Sequence, residues 1–328
     1  VKLCVYGAGG VGGHLAVLLA QSGQAVSVVA RGEHLRAIQR DGLSLQGDDG
    51  AVVTARLQAS DDPRTLGEQD FVLVALKSTA LPDLAAGIAP LLGAHTSVVF
   101  LQNGIPWWYF QGQGQDQGGD GEGQRLPKLD PDDALRRAIE PRRVLAGITA
   151  SACTVLGPGR IGVVGGNRPM VLGAPDDRPS EQLDRLERLL LQAGFPVERA
   201  GRIRDRIWTK LALNLGSGPL GALAPVSMAK LFAHRACVDA RFRIQAEVAA
   251  IADAWGCNVR LDFGTQMDFA RRSPHVPSIV QDFAAGRRPE VETMFLAPLE
   301  LARMKGVPTP TLDLLVALAC IKAGLEPD

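Results

Sequence analysis

Residues 5–13 read VYGAGGVGG, and the spacing of their glycines decides the fold. Gly7, Gly9 and Gly12 stand in G-x-G-x-x-G register, following the β-rich run 2–6 and leading into a helix-like segment at 10–22. The pattern alone is weak; a strand before it and a helix after it give it a mechanism. The first glycine permits a tight turn, the second lets a diphosphate approach the backbone, and the third allows close helix–sheet packing. The turn Gly7, Ala8, Gly9, with Gly10, Val11 and Gly12 opening the helix, then points N–H groups at an anion. The alternative is a glycine-rich turn with no ligand.

Outward from this turn, β-rich runs at 2–6, 25–30, 70–75 and 97–101 alternate with helical segments at 10–22, 32–41 and 79–92. Such alternation implies a parallel sheet covered on both faces. Strand signals return at 143–154, 160–165 and 169–174, followed by an amphipathic helix at 180–194. Beyond about residue 201 helical patterns dominate. The expected architecture is α/β: an N-terminal Rossmann-type dinucleotide-binding domain over 1–200 and an all-helical C-terminal domain over 201–328. The stretch QGQGQDQGGDGEGQ, 111–124, has no hydrophobic residue and reads as a surface loop, with a lid or rim over the site as the alternative.

Composition limits the function classes. Thirty-five basic and 35 acidic residues cancel, so no global field favours nucleic acid or an anionic membrane. The long uncharged runs are broken by Gly and Pro, which argues against membrane spans. Five cysteines form no CxxC pair and an odd count makes a poor disulfide framework, pointing to a reducing, cytoplasmic setting. No metal is expected, and a homo-oligomer is compatible with the composition.

The second strand of such a unit ends in Asp or Glu when it grips ribose hydroxyls. Here VVARGEH places Arg31 at that point, with Lys77 following the strand at 70–75. A guanidinium binds a 2′-phosphate where a carboxylate repels it, which favours NADP(H) over NAD. Glu33 competes on paper but belongs to the following helix.

In RIWTKLALNLGSG, 206–218, Lys210 is the only charge between Ile207 and Ala229. At 100° per residue it shares a helix face with Asn214, beside the stripe Ile207, Trp208, Leu211, Leu215. It is either a snorkelling edge residue or a partly buried functional ammonium. A dinucleotide domain followed by a helical one suggests hydride transfer in a cleft between them, and carbonyl reduction needs a proton donor. No histidine is placed for that role, so Lys210 is the candidate acid.

GAGGVGG, Arg31, LKS at 76–78, QNG at 102–104, WTKLALN at 208–214 and SIVQDFAAGRRPE at 278–290 together resemble the ketopantoate reductase (2-dehydropantoate 2-reductase) family along nearly the whole chain. The resemblance implies NADPH-dependent reduction of a 2-oxo acid, by default 2-dehydropantoate to pantoate. It implies that Arg31 and Lys77 hold the 2′-phosphate, and that Asn103 lies by the nicotinamide ribose and the substrate. Cys153 falls beside the nicotinamide. Lys210 matches the proton donor, Asn214 a substrate-binding amide and Ser278 a substrate-carboxylate ligand, with a helix N-cap as the other reading of Ser278. Glu290 matches a carboxylate bridging cofactor, lysine and substrate.

The chain also departs from that pattern. Gly218 stands where the family has a second asparagine, so the substrate pocket is expected to be enlarged or reshaped there. IPWWYF, 105–110, is either a packed corner or a bulky wall over the substrate. Two other readings stay open: a β-hydroxyacid or phosphogluconate-type dehydrogenase, which also spaces Lys and Asn four apart, and an NADP-binding regulatory protein without turnover.

Overall fold

The computed structural model describes residues 1–112 and 124–325, so most of the Gln/Gly-rich stretch 111–124 lies outside the described residues. The chain divides into two compact units, one of residues 1–102 and 108–203, the other of 103–107 and 204–328.

The first unit begins β1 (Lys2–Tyr6), α1 (Gly10–Gln21), β2 (Ala25–Val29), α2 (Gly32–Asp41). It continues β3 (Leu43–Gln46), β4 (Val52–Ala55), β5 (Gln58–Ser60), β6 (Gln69–Val74), α3 (Leu81–Gly87), β7 (Leu92–Phe100), α4 (Ala134–Ala138) and β8 (Val144–Thr149). It ends with β9 (Ala152–Gly157), β10 (Arg160–Val164), β11 (Met170–Gly173), α5 (Glu181–Gln192) and β12 (Val197–Arg199). Eight strands form one sheet in the order β12-β11-β8-β7-β6-β1-β2-β5. All its pairings are parallel except β11 with β8. Leu3 pairs with Val26 on one side and Phe71 on the other, so β1 is central. From β1 the chain winds outward through β2, then returns to β6 on the opposite side. The carboxyl ends of β1 and β6 therefore flank the topological switch point, where open α/β sheets take their ligands.

Helix α1 carries no charged residue, and Leu15, Ala16, Val17 and Leu19 are fully buried. A helix apolar on every side needs cover on every side. A second sheet, β4-β3-β10-β9, supplies it. A Cβ on Gly12 would land on the Gly7 carbonyl and 3.0 Å from Val5 of the main sheet; one on Gly13 would lie 2.6 Å from Ile161 of the small sheet. These two glycines thin the helix where it meets each sheet.

The small sheet is the main departure from the sequence reading. The run 143–154, read as one strand, breaks between Thr149 and Ala152: buried β8 joins the main sheet and the more exposed β9 edges the small one. Continuous apolar character cannot reveal a change of sheet. The helix expected over 79–92 shrinks to α3 between two 3-10 turns, with Pro82 and Pro90 each in an opening turn. β7 starts at Leu92, earlier than read.

The second unit holds α6 (Ile203–Leu215, whose first residue closes the first unit), α7 (Gly218–Leu223), α8 (Met228–Leu231) and α9 (Arg235–Ala254). After them come α10 (Phe263–Arg272), α11 (Ser278–Ala284), a π-helical turn at Glu292–Leu296, α12 (Ala297–Lys305) and α13 (Pro310–Lys322). No strand is present among its described residues. Trp208, Leu211 and Leu215 on α6 and Ile244, Val248 and Ile251 on α9 are buried, as helical spacing requires of core faces.

Candidate active site

The glycine turn follows β1 directly. Gly7 sits at φ +100°, where a side chain is strained, and its N–H donates to Val29 O at 3.0 Å. Gly9, the N-cap of α1, would place a Cβ with nothing within 4 Å. No side chain caps α1 and its first turn holds no acid. The amides at Gly10, Val11 and Gly12 thus head an uncapped helix behind an open surface, and these residues fit the diphosphate of a dinucleotide.

Cys153, on β9, lies behind this turn. A Cβ on Gly10 would come 2.7 Å from its carbonyl oxygen. Its Sγ is 3.3 Å from His14 Nδ1, and His14 Nε2 is 2.8 Å from Asn167 Oδ1. Asn167 Nδ2 donates to Gly194 O, so its Oδ1 accepts from His14 Nε2–H and the thiol donates to Nδ1. Burial pushes the thiol up to about 12 and pushes the His14 imidazole down, so both partners are neutral. Nothing in the local sequence marks His14 or Asn167, whose link spans 153 residues.

Arg31 caps α2 at the end of β2, and its Nη1 donates to Asp83 Oδ2 at 3.0 Å. Lys77 is exposed just beyond β6, at the head of the turn leading to α3. Gln102 ties the end of β7 to β6 by donating to Val74 O and Leu76 O, at 3.0 and 3.1 Å. The aromatics 108–110 resolve as a packed corner of the first unit: Trp108, Tyr109 and Phe110 are buried, with Tyr109 and Phe110 edge to face at 5.3 Å. Trp107 groups with the second unit.

In the second unit, Lys210 and Asn214 stand one turn apart on α6 and both are partly buried. Protein packed around the Lys210 ammonium lowers it to about 8, and the Glu290 carboxylate opposes that shift. Desolvation disfavours the charged amine, and a nearby anion favours it. Asn103 is carried to the same region by a close backbone contact. Ile105 N donates to Thr293 O at 2.9 Å, and Gly104, at φ +84°, would drive a Cβ into that same carbonyl. Thr293 lies in the turn that follows Glu290, whose carbonyl accepts from Met294 N. Glu290 thus acts on Lys210 across 80 residues of sequence, and the segment following Asn103 packs on the turn that follows Glu290.

Ser278 is exposed as the first residue of α11, whose N-cap is Pro277, so the capping role is not what it performs. Gly218, the first residue of α7, is buried. A Cβ there would meet Phe295 Cε1 at 3.2 Å and Ile279 Cγ2 at 3.6 Å. The Phe295 ring thus packs closely against Gly218, where a side chain would be crowded. Among the described residues no group of three or more His, Cys, Asp or Glu could hold a metal ion. None of the described helices is long and apolar enough to cross a membrane.

Comparison with known proteins identifies the family. Residues 3–106 match the family model "Ketopantoate reductase PanE/ApbA" and residues 202–323 match its C-terminal companion. The chain is 38% identical to a 2-dehydropantoate 2-reductase of Mesorhizobium japonicum, over 97% of this chain and 96% of that one. A crystal structure from Ralstonia solanacearum MolK2, described as that of a ketopantoate reductase by assignment, superposes with a TM-score of 0.89 at 35% identity, covering 98% of each chain. A D-mandelate dehydrogenase solved with NADH and anilino(oxo)acetate shares the fold, at 22% identity, a TM-score of 0.82 and 99% of each chain.

Proposed function

The chain belongs to the ketopantoate reductase family of oxidoreductases acting on CH–OH groups, and on that premise we propose that it reduces a 2-oxo acid to a 2-hydroxy acid with NADPH, 2-dehydropantoate to pantoate by default. The observation that carries the reading is the partly buried Lys210 with Glu290 acting on its charge. Residues 1–200 serve the cofactor in this reading, apart from Asn103, and 201–328 the substrate and the chemistry.

NADPH, when bound, supplies hydride to the carbonyl carbon. Gly7, Ala8, Gly9, Gly10, Val11 and Gly12 cradle its diphosphate, while Arg31 and Lys77 take its 2′-phosphate. Cys153, packed against Gly10 of the glycine turn, lies beside the nicotinamide in this reading. Lys210 transfers a proton from Nζ to the carbonyl oxygen, becomes a neutral amine and regains a proton from solvent. Burial makes that ammonium a stronger acid than an exposed lysine, and Glu290 keeps it charged at neutral pH. Asn103, Asn214 and Ser278 hold substrate oxygens, with Gly218 backed by Phe295 forming an apolar wall beside them.

General acid catalysis contributes about 10²–10⁴-fold, so Lys210→Met should lower kcat by that order while NADPH affinity stays near wild type. The methionine keeps the apolar stem. A folded Lys210→Met protein that turns over 2-dehydropantoate and a panel of other 2-oxo acids at near-normal rates overturns the mechanism.

A further inference from the structure

The guanidinium assigned to the cofactor phosphate already has an anionic partner. Arg31 Nη1 and Asp83 Oδ2 are 3.0 Å apart, across 52 residues of sequence. The two groups meet at the carboxyl end of β1. Burial raises the phenol of Tyr6, the last residue of β1, with Arg31 acting against that rise and Asp83 adding to it. Asp83 is held in position by its helix: Leu81 and Leu84 on α3 are buried at 4% and 0% exposure, which anchors the turn between them.

We propose that Asp83 is a specificity-setting residue of the adenosine site, a carboxylate that holds Arg31 and competes with a ribose 2′-phosphate for it. This rests on the reading that Arg31 receives that phosphate. The side chains of Arg31 and Asp83 are 64% and 57% exposed, so the pair is weak and an incoming dianion can displace it. Displacement leaves a carboxylate close to the phosphate, and like charges at that range repel even through water. A 2′-hydroxyl carries no charge and meets no such penalty. Preference for the phosphorylated cofactor is therefore narrower than Arg31 and Lys77 alone would set it.

The test is calorimetric and needs no turnover: adenosine 2′,5′-bisphosphate and 5′-AMP are titrated into wild type, Asp83→Asn, Arg31→Ala and the double variant. Both positions are exposed, so the fold is expected to survive, and circular dichroism checks it. Asp83→Asn should tighten the bisphosphate by about three- to tenfold and leave 5′-AMP within about twofold, with a smaller gain when Arg31 is alanine, since only the direct repulsion then remains. Unchanged or weaker bisphosphate binding in Asp83→Asn overturns the proposal, as does an equal gain in the Arg31→Ala background. Failure of the underlying reading looks different: Arg31→Ala alone then leaves the ratio of the two affinities unchanged.

Discussion

Lys210 carries two consequences of opposite sign. Its pKa falls from 10.5 to about 8 on folding, so between those values the unfolded chain binds more protons than the folded one. Stability attributable to this residue therefore rises with pH from about 8 to 10.5, and below about 8 the buried charge is a standing cost. The proposed reduction needs the ammonium, so kcat for reduction should fall as pH rises through about 8. Glu290 raises the lysine, so Glu290→Gln should move that inflection to lower pH. A pH–rate profile of both proteins checks this, and an inflection that stays fixed in Glu290→Gln removes Glu290 from the pair. Lys210 stood out in the sequence because a solitary lysine in an apolar helix is conspicuous. Asp83 and Phe295 were not legible: each acts through a partner far along the chain, and nothing local distinguishes them from an ordinary surface acid or core aromatic.

Helix α1 and its turn separate structural glycines from binding glycines, and each class predicts its own phenotype. A Cβ on Gly9 meets nothing within 4 Å, whereas one on Gly12 strikes the Gly7 carbonyl, Ala75 and Val5. Gly9→Ala should thus keep wild-type stability while weakening NADPH binding, because the methyl occupies the approach of the diphosphate. Gly12→Ala should lose about 1–3 kcal/mol of stability, or more, since overpacked cores rarely relax without backbone movement. Denaturant titration beside cofactor titration distinguishes the two; equal stability losses would show that Gly9 also serves packing. The glycine spacing announced the turn, and strand–helix alternation announced most of the main sheet. The small sheet was hidden because β3, β4 and β9 are short or exposed strands whose only apolar demand is to cover the outer face of α1. The need for that cover was written in α1 itself, a charge-free helix that one sheet face cannot bury.

Across the whole molecule, the division into units predicts where a cofactor is felt. The proposed cofactor groups, from the glycine turn through Arg31, Lys77 and Cys153, fall in the unit of residues 1–102 and 108–203. The Lys210, Glu290 and Asn103 group falls in the other, because the chain lends residues 103–107 to the helical unit. A ligand bound to the folded state at 100 times its Kd stabilises by about 2.7 kcal/mol, on the unit it binds first of all. In hydrogen exchange read peptide by peptide, NADPH should therefore slow exchange chiefly at residues 5–13, 25–32 and 74–78. Peptides covering α9 and α13 should change little, since those helices carry none of the proposed contacts. NADH at equal concentration should protect the glycine turn but leave the Arg31 peptide closer to its unliganded rate, because its 2′-hydroxyl offers the guanidinium no anion. Identical protection by both cofactors at residues 25–32 would remove Arg31 from cofactor choice. Protection confined to the helical unit would overturn the assignment of the glycine turn itself.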